Sequence, residues 1–271
     1  MDPNRVMWSV FAKPWPELGL GELGALAHDM GFDAVELPVR PGYQVPPERV
    51  SRDLVAAARQ LADQGVAIAS VAGPADDATI VACGEAGVPV LRVMASIETG
   101  RPYVHEEARI RQEYDALRPA LEAHHVTLGI QNHLGDFVAN ALALDRLLAP
   151  YPAAPHPIAA VWDAGHEAVC GIQPEQALDI IWPRICMVNL KNAYWRRANG
   201  PEARQATWRS YWTSGRHGLA DWRRVLQALA RREYRGVICL TAEYSDHSAG
   251  VERLAREDLA FAKALWEEAQ P

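Results

Sequence analysis

Two carboxylates that closely follow apolar runs are the strongest candidates for chemistry in this sequence. Asp163 follows the run Ile158–Trp162, and Glu243 follows the run Val237–Thr241. A charged side chain at the end of a buried segment has few structural reasons to be there. A pair of carboxylates can bind a divalent cation or transfer protons. Both residues are therefore predicted metal ligands, and Glu243 is also a predicted base; the structural alternative for Asp163 is the N-cap of a helix.

Amides and histidines follow other apolar runs in the same way. Gln131 and Asn189 offer amide oxygens, which together with two carboxylates suit Mg²⁺ or Mn²⁺ and leave room for substrate oxygens. His166 and His133 offer imidazole nitrogens, His166 as a candidate catalytic residue and His133 as a candidate substrate-binding residue. For the amides the alternative is plain hydrogen bonding, for His166 it is the pairing of nearby backbone groups, and for His133 it is packing or the support of a neighbouring ligand residue.

Lys191 and Glu36 complete the charged candidates. Lys191 follows a strand-length apolar run and either holds a substrate oxygen, as a catalytic residue, or pairs with Asp163 or Glu243. Glu36 either binds substrate or forms an ion pair with a neighbouring strand end, for which Arg92 is the candidate partner.

These residues can act together only if the fold brings the strand ends to one place. Short apolar or β-branched runs alternate with longer helical patterns, and eight of each can be found. This alternation predicts an α/β fold, a single-domain (β/α)₈ TIM barrel over residues 1–271, in which all strand ends converge on one mouth. The predicted strands are Val6–Phe11, Ala34–Leu37, Val66–Val71, Val88–Met94, Val126–Gln131, Ile158–Trp162, Ile185–Leu190 and Val237–Thr241. The predicted helices are Glu17–Met30, Pro47–Gln64, Asp77–Ala86, His105–His124, Phe137–Ala149, Pro174–Trp182, Asp221–Arg232 and Ser248–Glu268.

One connection departs from the compact repeat. The segment at 192–217 separates the seventh strand from its helix and is rich in Trp, Tyr and Arg. A connection of this length after a barrel strand lies on the active-site face, so the segment is predicted to be a long active-site loop that acts as a lid. Trp195 is a candidate for stacking on a sugar and Arg216 for binding one. For the aromatic residues, the equal alternative is a subunit contact in a homodimer.

Composition excludes several classes of function. The formal net charge is −7, which would repel nucleic acid and anionic membranes. No apolar stretch is long enough to span a membrane, and the N-terminal residues lack the pattern of a secretory signal, so a cytoplasmic location is expected. The four cysteines are scattered without a C-x-x-C pair, which favours buried thiols over disulfides or a zinc site. The expected partner is a small molecule.

Six short motifs follow one another along the chain. They are GFDAVEL at Gly31–Leu37, QNH at Gln131–His133, WDAGH at Trp162–His166, LKN at Leu190–Asn192, GLADW at Gly218–Trp222, and Glu243. In this order and at these strands they resemble the landmarks of the sugar phosphate isomerase/epimerase family, which has the xylose isomerase-like TIM barrel. The resemblance covers nearly the whole chain and implies a small sugar or sugar derivative as the substrate.

The resemblance also implies a metal site. In the ketose 3-epimerase branch of the family, the ligands are Glu, Asp, His and Glu on the fifth to eighth strands. The matching positions here are Gln131, Asp163, Asn189 and Glu243, so two of the four ligands are changed. Amide in place of imidazole favours Mg²⁺, Mn²⁺ or Ca²⁺ over Zn²⁺. The family pattern further implies that His166 and Arg216 contact the substrate.

The changed ligands alter the expected mechanism. Epimerisation beside a carbonyl normally uses one carboxylate on each side of the substrate, and Gln131 cannot be a base, so Glu243 is the single carboxylate base. The leading hypothesis is a divalent-metal-dependent isomerase or epimerase of a sugar, sugar phosphate or keto-sugar that acts through an enediolate. The alternatives are a metal-dependent β-eliminase or decarboxylase on an oxidised sugar or sugar acid, and a sugar-binding barrel that has lost its chemistry. An abasic-site endonuclease is disfavoured because it needs more metal ligands and a DNA partner.

Overall fold

The computed structural model describes residues 5–270. Eight parallel strands close into a barrel, and a helix follows each of them, which confirms the predicted (β/α)₈ architecture. The barrel strands are β1 Met7–Phe11, β2 Ala34–Pro38, β3 Ala67–Ala72, β4 Val90–Met94, β5 Thr127–Gln131, β6 Ile158–Asp163, β7 Ile185–Leu190 and β10 Val237–Leu240. Two further strands, β8 Asn192–Arg197 and β9 Trp208–Thr213, pair with each other outside the barrel. The α-helices are α1 Leu20–Met30, α2 Val50–Ala62, α3 Asp77–Glu85, α4 Tyr103–His124, α5 Ala141–Leu148, α6 Ala164–Val169, α7 Pro174–Ile181, α8 Trp222–Ala230 and α9 Val251–Ala269.

The barrel closes where the first strand pairs with the last one. The strand order around it is β1-β10-β7-β6-β5-β4-β3-β2, and Met7 stands opposite Val237 at the closure. All pairs are parallel, so the C-terminal ends of the strands share one rim. At that rim the register sets Asp163 of β6 opposite Asn189 of β7.

The residue pattern of the helices explains how they cover the barrel. In α2 the buried residues are Val50, Leu54, Ala57 and Leu61, a spacing of three and four that forms one apolar stripe. Such stripes pack on the outer faces of strands whose own residues are buried on both sides. A second, smaller apolar cluster includes Phe11, and because Phe11 also lines the mouth it joins the core to the floor of the cavity.

Glycines mark the ends of the first two helices. Gly31 ends α1 in the left-handed region at φ 93°, and Gly65 follows α2 at φ 76°. A residue with a side chain is strained in this conformation, which is why glycine suits the turn into the next strand.

Two elements lie outside the predicted pattern. The short helix α6 directly follows β6, and the segment at 192–217 contains the antiparallel hairpin of β8 and β9. The hairpin lies on the active-site side, in the place of the predicted lid. None of the helices described between residues 5 and 270 is long and apolar enough to cross a membrane.

Candidate active site at the strand ends

A cavity of about 330 Å³ opens at the C-terminal ends of the barrel strands. Six of the ten residues predicted to form the site line it: Gln131, His133, His166, Asn189, Lys191 and Glu243. Its other charged wall residues are Lys13, Arg40 and Arg92. The strand ends therefore converge as the barrel requires, and the wall carries more cationic than anionic side chains.

Glu243 is the one carboxylate in that wall, and two lysines bind it. Lys13, which follows β1, donates a hydrogen bond to Oε1, and Lys191, which follows β7, donates to Oε2. Burial acts to raise the pKa of Glu243, but the two ammonium groups outweigh this effect and lower it to about 2. Of the two interpretations of Lys191, the structure shows the ion pair with Glu243. In the free protein Glu243 is ionised, with both of its oxygens engaged.

A chain of buried hydrogen bonds runs below the cavity across five strands. Ser70 donates to Glu36 at 3.0 Å, and Arg92 binds both oxygens of the same carboxylate at 2.7 and 2.9 Å. Arg92 also donates to the side-chain oxygen of Gln131, whose amide nitrogen donates to Asp163 at 2.7 Å. Glu36 is fully buried and does not line the cavity, so it positions Arg92 instead of contacting a ligand directly.

Asp163 serves as the N-cap of α6. Its Oδ1 accepts the backbone N–H groups of Gly165 and His166, both at 2.9 Å, while Oδ2 accepts the amide of Gln131. Burial raises the pKa of Asp163 to about 6, against the opposing effect of Lys191. Because the side chain is fully buried and does not line the cavity, its first effect is to fix the start of α6 and thereby the position of His166.

His166 presents a neutral imidazole to the cavity. Its Nδ1 accepts the backbone N–H of Leu134 at 3.3 Å, so the ring proton belongs on Nε2, which has no hydrogen-bond partner. Burial, followed by the nearby charge of Lys191, lowers the pKa of His166 well below its ordinary value. The ring of His133 lies against it with centroids 4.0 Å apart. The Nε2–H group of His166 is thus a hydrogen-bond donor without a partner.

Asn189 is the second unsatisfied polar group of the cavity. The side chain is fully buried, and neither its Oδ1 nor its Nδ2 has a hydrogen-bond partner. A buried amide without partners costs free energy of the order of 1–3 kcal/mol for each lost hydrogen bond. The amide is therefore available for hydrogen bonds to a ligand or to water in the cavity.

Two predicted substrate-binding residues lie away from the cavity. Trp195 is part of β8, and its Nε1 donates to the carbonyl of Val169 at 3.0 Å, over α6. Arg216 is exposed and stacks on Phe261 of α9, with 3.9 Å between its guanidinium carbon and the ring centroid. The tryptophan that lines the cavity is instead Trp212 of β9.

Sequence reasoning did not identify Lys13, Arg40 or Trp212 as site residues. Lys13 could have been predicted from the sequence, because it is the first charged residue after β1. The other candidates were chosen as polar residues at the ends of predicted strands, and Lys13 meets the same criterion. Arg40 holds the corresponding position after β2. Trp212 had no such signal, since only the pairing of β8 with β9 decides which ring of the segment lies over the mouth.

The residues present do not fit a divalent metal ion in this arrangement. Between residues 5 and 270, no group of three or more His, Cys, Asp and Glu side chains is placed to hold one. Glu243 is bound by two lysines, and the side-chain oxygen of Gln131 accepts from Arg92. The predicted ligands do meet at the strand ends, but most of their oxygens are directed to protein donors.

A closed parallel barrel with a polar cavity at its strand ends is the architecture of the α/β-barrel enzymes. The sequence profile described as the xylose isomerase-like TIM barrel matches residues 25–265 of this chain. The chain therefore belongs to that family, which confirms the resemblance inferred from its motifs. A comparison with curated proteins gives no significant match.

Several solved structures share the fold at low sequence identity. L-ribulose 3-epimerase is 15% identical, with a TM-score of 0.74 over 97% of this chain and 95% of its own. The 3-keto-D-glucoside 4-epimerase of E. coli is 12% identical, with a TM-score of 0.73 over 96% of this chain and 100% of its own. A probable 3-DHS dehydratase of Bacillus anthracis is 15% identical, with a TM-score of 0.70 over 95% of this chain and 99% of its own. At these identities the likeness establishes the fold.

Proposed function

We propose that this chain is an isomerase or epimerase of a small sugar or sugar derivative and that it removes a proton from a carbon beside a carbonyl group. The observation that carries the proposal is Glu243, a carboxylate in the cavity wall flanked by two ammonium groups. Removal of such a proton needs a base and, next to it, groups that stabilise the oxyanion of the enediolate. The neighbours in structure, two of them sugar epimerases by description, support the same class of substrate.

In the free protein the proposed base is only weakly basic. Glu243, with a pKa of about 2, is a weak base while both lysines bind it. A substrate oxygen that accepts a hydrogen bond from Lys191 or Lys13 replaces one of the contacts to the carboxylate. The pKa of Glu243 then rises, because one of its cationic partners is shared with the substrate. Binding of substrate and activation of the base are therefore the same event.

The proton and electron balance of the step is simple. The proton passes from carbon to Glu243, the C–H electron pair becomes the C=C bond of the enediolate, and the carbonyl π pair moves to oxygen. An ammonium group, with the Nε2–H of His166 and the amide of Asn189, donates to that oxygen. Return of the proton to the neighbouring carbon, together with transfer of the hydroxyl proton from one enediolate oxygen to the other, gives an aldose–ketose isomer. Return to the original carbon from the other face gives an epimer.

Isomerisation needs one base, whereas epimerisation needs an acid on the opposite side. Glu243 is the only carboxylate in the wall of the described cavity, and Gln131 occupies the place of the second one. This favours a one-base isomerisation. It also supports a second candidate function, β-elimination from an oxidised sugar, in which Glu243 removes the proton and a lysine or histidine protonates the leaving group.

A panel of aldoses, ketoses, keto-sugars and sugar acids, with and without phosphate, tests the proposal. Each compound is incubated with the protein in ²H₂O, and the products are followed by NMR and mass spectrometry. We expect a new isomer that carries deuterium beside the carbonyl. A dehydrated or decarboxylated product would favour the lyase instead, and tight binding of a sugar without any deuterium uptake would indicate a barrel that has lost its chemistry.

A further inference from the structure

We propose that the ammonium groups of Lys13 and Lys191 supply the positive charge that the family pattern assigns to a divalent cation, so that this site functions without a metal ion. We call Lys13, Lys191 and Glu243 the lysine–glutamate cluster. The catalytic part of the inference rests on the proposed function, whereas its metal-binding part can be measured without a substrate.

Lysine is rare in this chain, and this makes the cluster unusual. Of the 27 Lys and Arg residues only three are lysines, namely Lys13, Lys191 and Lys263. Two of the three meet on one carboxylate, although they lie 178 positions apart and follow different strands. The ammonium group is a compact point charge that rotates freely, whereas guanidinium is a planar fork. A compact cation is the closer replacement for a metal ion.

The cluster is held in place by its surroundings. The side chain of Lys191 is only 6% exposed, and its Nζ lies 3.8 Å from the ring centroid of Trp212. The ring face attracts the cation and shields it from water. Lys13 is more open, with 40% of its side chain exposed, and approaches Glu243 from the side of β1. One ammonium is therefore fixed and the other can turn toward a substrate oxygen.

The negative charges below and around the cavity are already neutralised. The carboxylates of Glu36, Asp163 and Glu243 face the cations of Arg92, Lys13 and Lys191, and Arg40 adds a fourth positive charge to the wall. A divalent ion between Asp163 and Glu243 would add two positive charges to a group in which every negative charge has a cationic neighbour. With Glu on the fifth strand, as in the family pattern, the added cation would be balanced in part; with Gln131 it is not.

Gln131 further argues against a metal ligand set. Its side-chain oxygen, the atom that would bind a metal, accepts a hydrogen bond from Arg92, and its amide nitrogen donates to Asp163. A metal at this place would have to break both contacts and would leave the guanidinium of Arg92 next to the ion. The same two hydrogen bonds orient Asp163 when no metal is present.

The three lysines make a direct test of metal binding practical. Protein labelled with ¹³C at the lysine ε-carbon gives three side-chain signals, which can be assigned from the three Lys→Met variants. We expect all three to persist when Mn²⁺ is added at the protein concentration, and desalted protein to hold well below one metal ion per chain. Paramagnetic loss of the Lys13 and Lys191 signals with Lys263 intact, together with one bound ion that is lost in Asp163→Asn, would overturn the inference.

The catalytic part is tested with the same variants. We expect Lys191→Met and Lys13→Met to lower the rate of deuterium exchange by about 100-fold or more, as for removal of an oxyanion donor, with no rescue by Mn²⁺ or Mg²⁺. Lys263→Met is the matched control, because this residue binds the carbonyl of Gly31 far from the site. Full exchange in both cluster variants, or loss of wild-type exchange on chelation, would contradict the inference. Absence of exchange with every sugar would instead refute the proposed function and leave the metal measurement standing.

Discussion

Glu243 accepts a hydrogen bond from a different lysine on each of its carboxylate oxygens. The energetic consequence can be judged from Coulomb's law. Two unit charges 4 Å apart interact by about 4 kcal/mol at an effective dielectric constant of 20, and a divalent ion doubles this value. A metal ion beside either lysine would meet repulsion of that order, whereas an oxyanion in the same place would be attracted. At the scale of residues, the site is therefore suited to developing negative charge.

The ion pairs of Glu243 also predict how stability depends on pH. Its pKa in the folded protein is about 2, below the ordinary 4.5, so the carboxylate favours folding above pH 4.5 and this contribution is lost as the pH falls toward 2. We expect Glu243→Gln to lower the free energy of unfolding at pH 6 by roughly 3 kcal/mol and by much less at pH 2.5. Urea unfolding at both pH values measures the difference.

The matched control for that experiment is Glu202→Gln. Glu202 is an exposed glutamate between β8 and β9, so the same chemical change there should leave stability unaltered at both pH values. An equal loss in Glu243→Gln at pH 6 and pH 2.5 would contradict the role assigned to the two lysines.

Most of the site residues could be predicted because they follow from the position of strand ends. Glu243, Asn189 and His166 are in the cavity wall as expected. The pairing of side chains could not be predicted, because it depends on where each long side chain points. Lys13 and Lys191 are equally compatible with solvent, substrate or a carboxylate until the strands are placed side by side.

The hairpin of β8 and β9 contributes Ser210 and Trp212 to the wall of the cavity. At its base, Trp212 exchanges backbone contacts with Ser245, whose hydroxyl accepts the Trp212 N–H at 2.9 Å and whose own N–H donates to the Trp212 carbonyl at 2.9 Å. Ser245 lies two residues after Glu243. The hairpin is therefore tied to the segment that carries Glu243, the proposed base.

The place of the hairpin in the cavity wall leads to a prediction for its tryptophans. Trp212 contacts Lys191 and lies 4.9 Å from the ring of His166, whereas Trp208 in the same strand is 56% exposed. We expect Trp212→Ala to raise KM about tenfold, through loss of about 1.4 kcal/mol of contact between the ring and the bound sugar. Steady-state kinetics with the substrate found in the sugar panel measures this, and Trp208→Ala is the control. Equal KM values for both variants would show that the ring does not cover the substrate.

The end of the hairpin segment depends on a glycine that leaves room for a buried amide. A Cβ on Gly218 would stand 1.9 Å from Oδ1 of Asn192, a side chain that donates to the carbonyls of Gly215 and Ala220 at 2.9 Å. We expect Gly218→Ala to lower the free energy of unfolding by about 1–3 kcal/mol or more, as other overpacked sites do. Urea unfolding checks the value.

Gly200, at the turn of the same hairpin, is the control for this substitution. No atom lies within 4 Å of a Cβ built there, and Gly200→Ala should leave stability nearly unchanged. If the two variants were equally stable, the packing of Asn192 against Gly218 would not be what fixes the segment.

The elements that sequence reasoning missed are those with the weakest periodic signal. The barrel strands were predicted to within one or two residues because their apolar, β-branched runs are bounded by turn residues. The helix α6 has six residues, less than two turns, which is too short for a helical period to stand out. Most residues of the hairpin strands are half-buried or exposed, and the strands mix Arg with Trp and Tyr, so no single apolar face marks them.

At the scale of the whole molecule, barrel closure is what creates the site. Lys13 and Glu243 lie 230 positions apart and meet because β1 pairs with β10. Closure could be predicted from the alternation of strands and helices, and the family match over residues 25–265 confirms it. The chemistry could not follow from closure alone, since the same barrel carries epimerases and a probable dehydratase among its structural neighbours.

The proposed function requires Glu243 to remove a proton beside a carbonyl in a site charged by lysines. Deuterium exchange into a sugar of the panel in ²H₂O, with protein treated with chelator, tests it most directly. We predict exchange in the wild type and in Glu202→Gln, and a loss of about 100- to 10,000-fold in Glu243→Gln, the range for removal of a general base. Undiminished exchange in Glu243→Gln, or exchange that returns only when Mn²⁺ is added, would contradict the account.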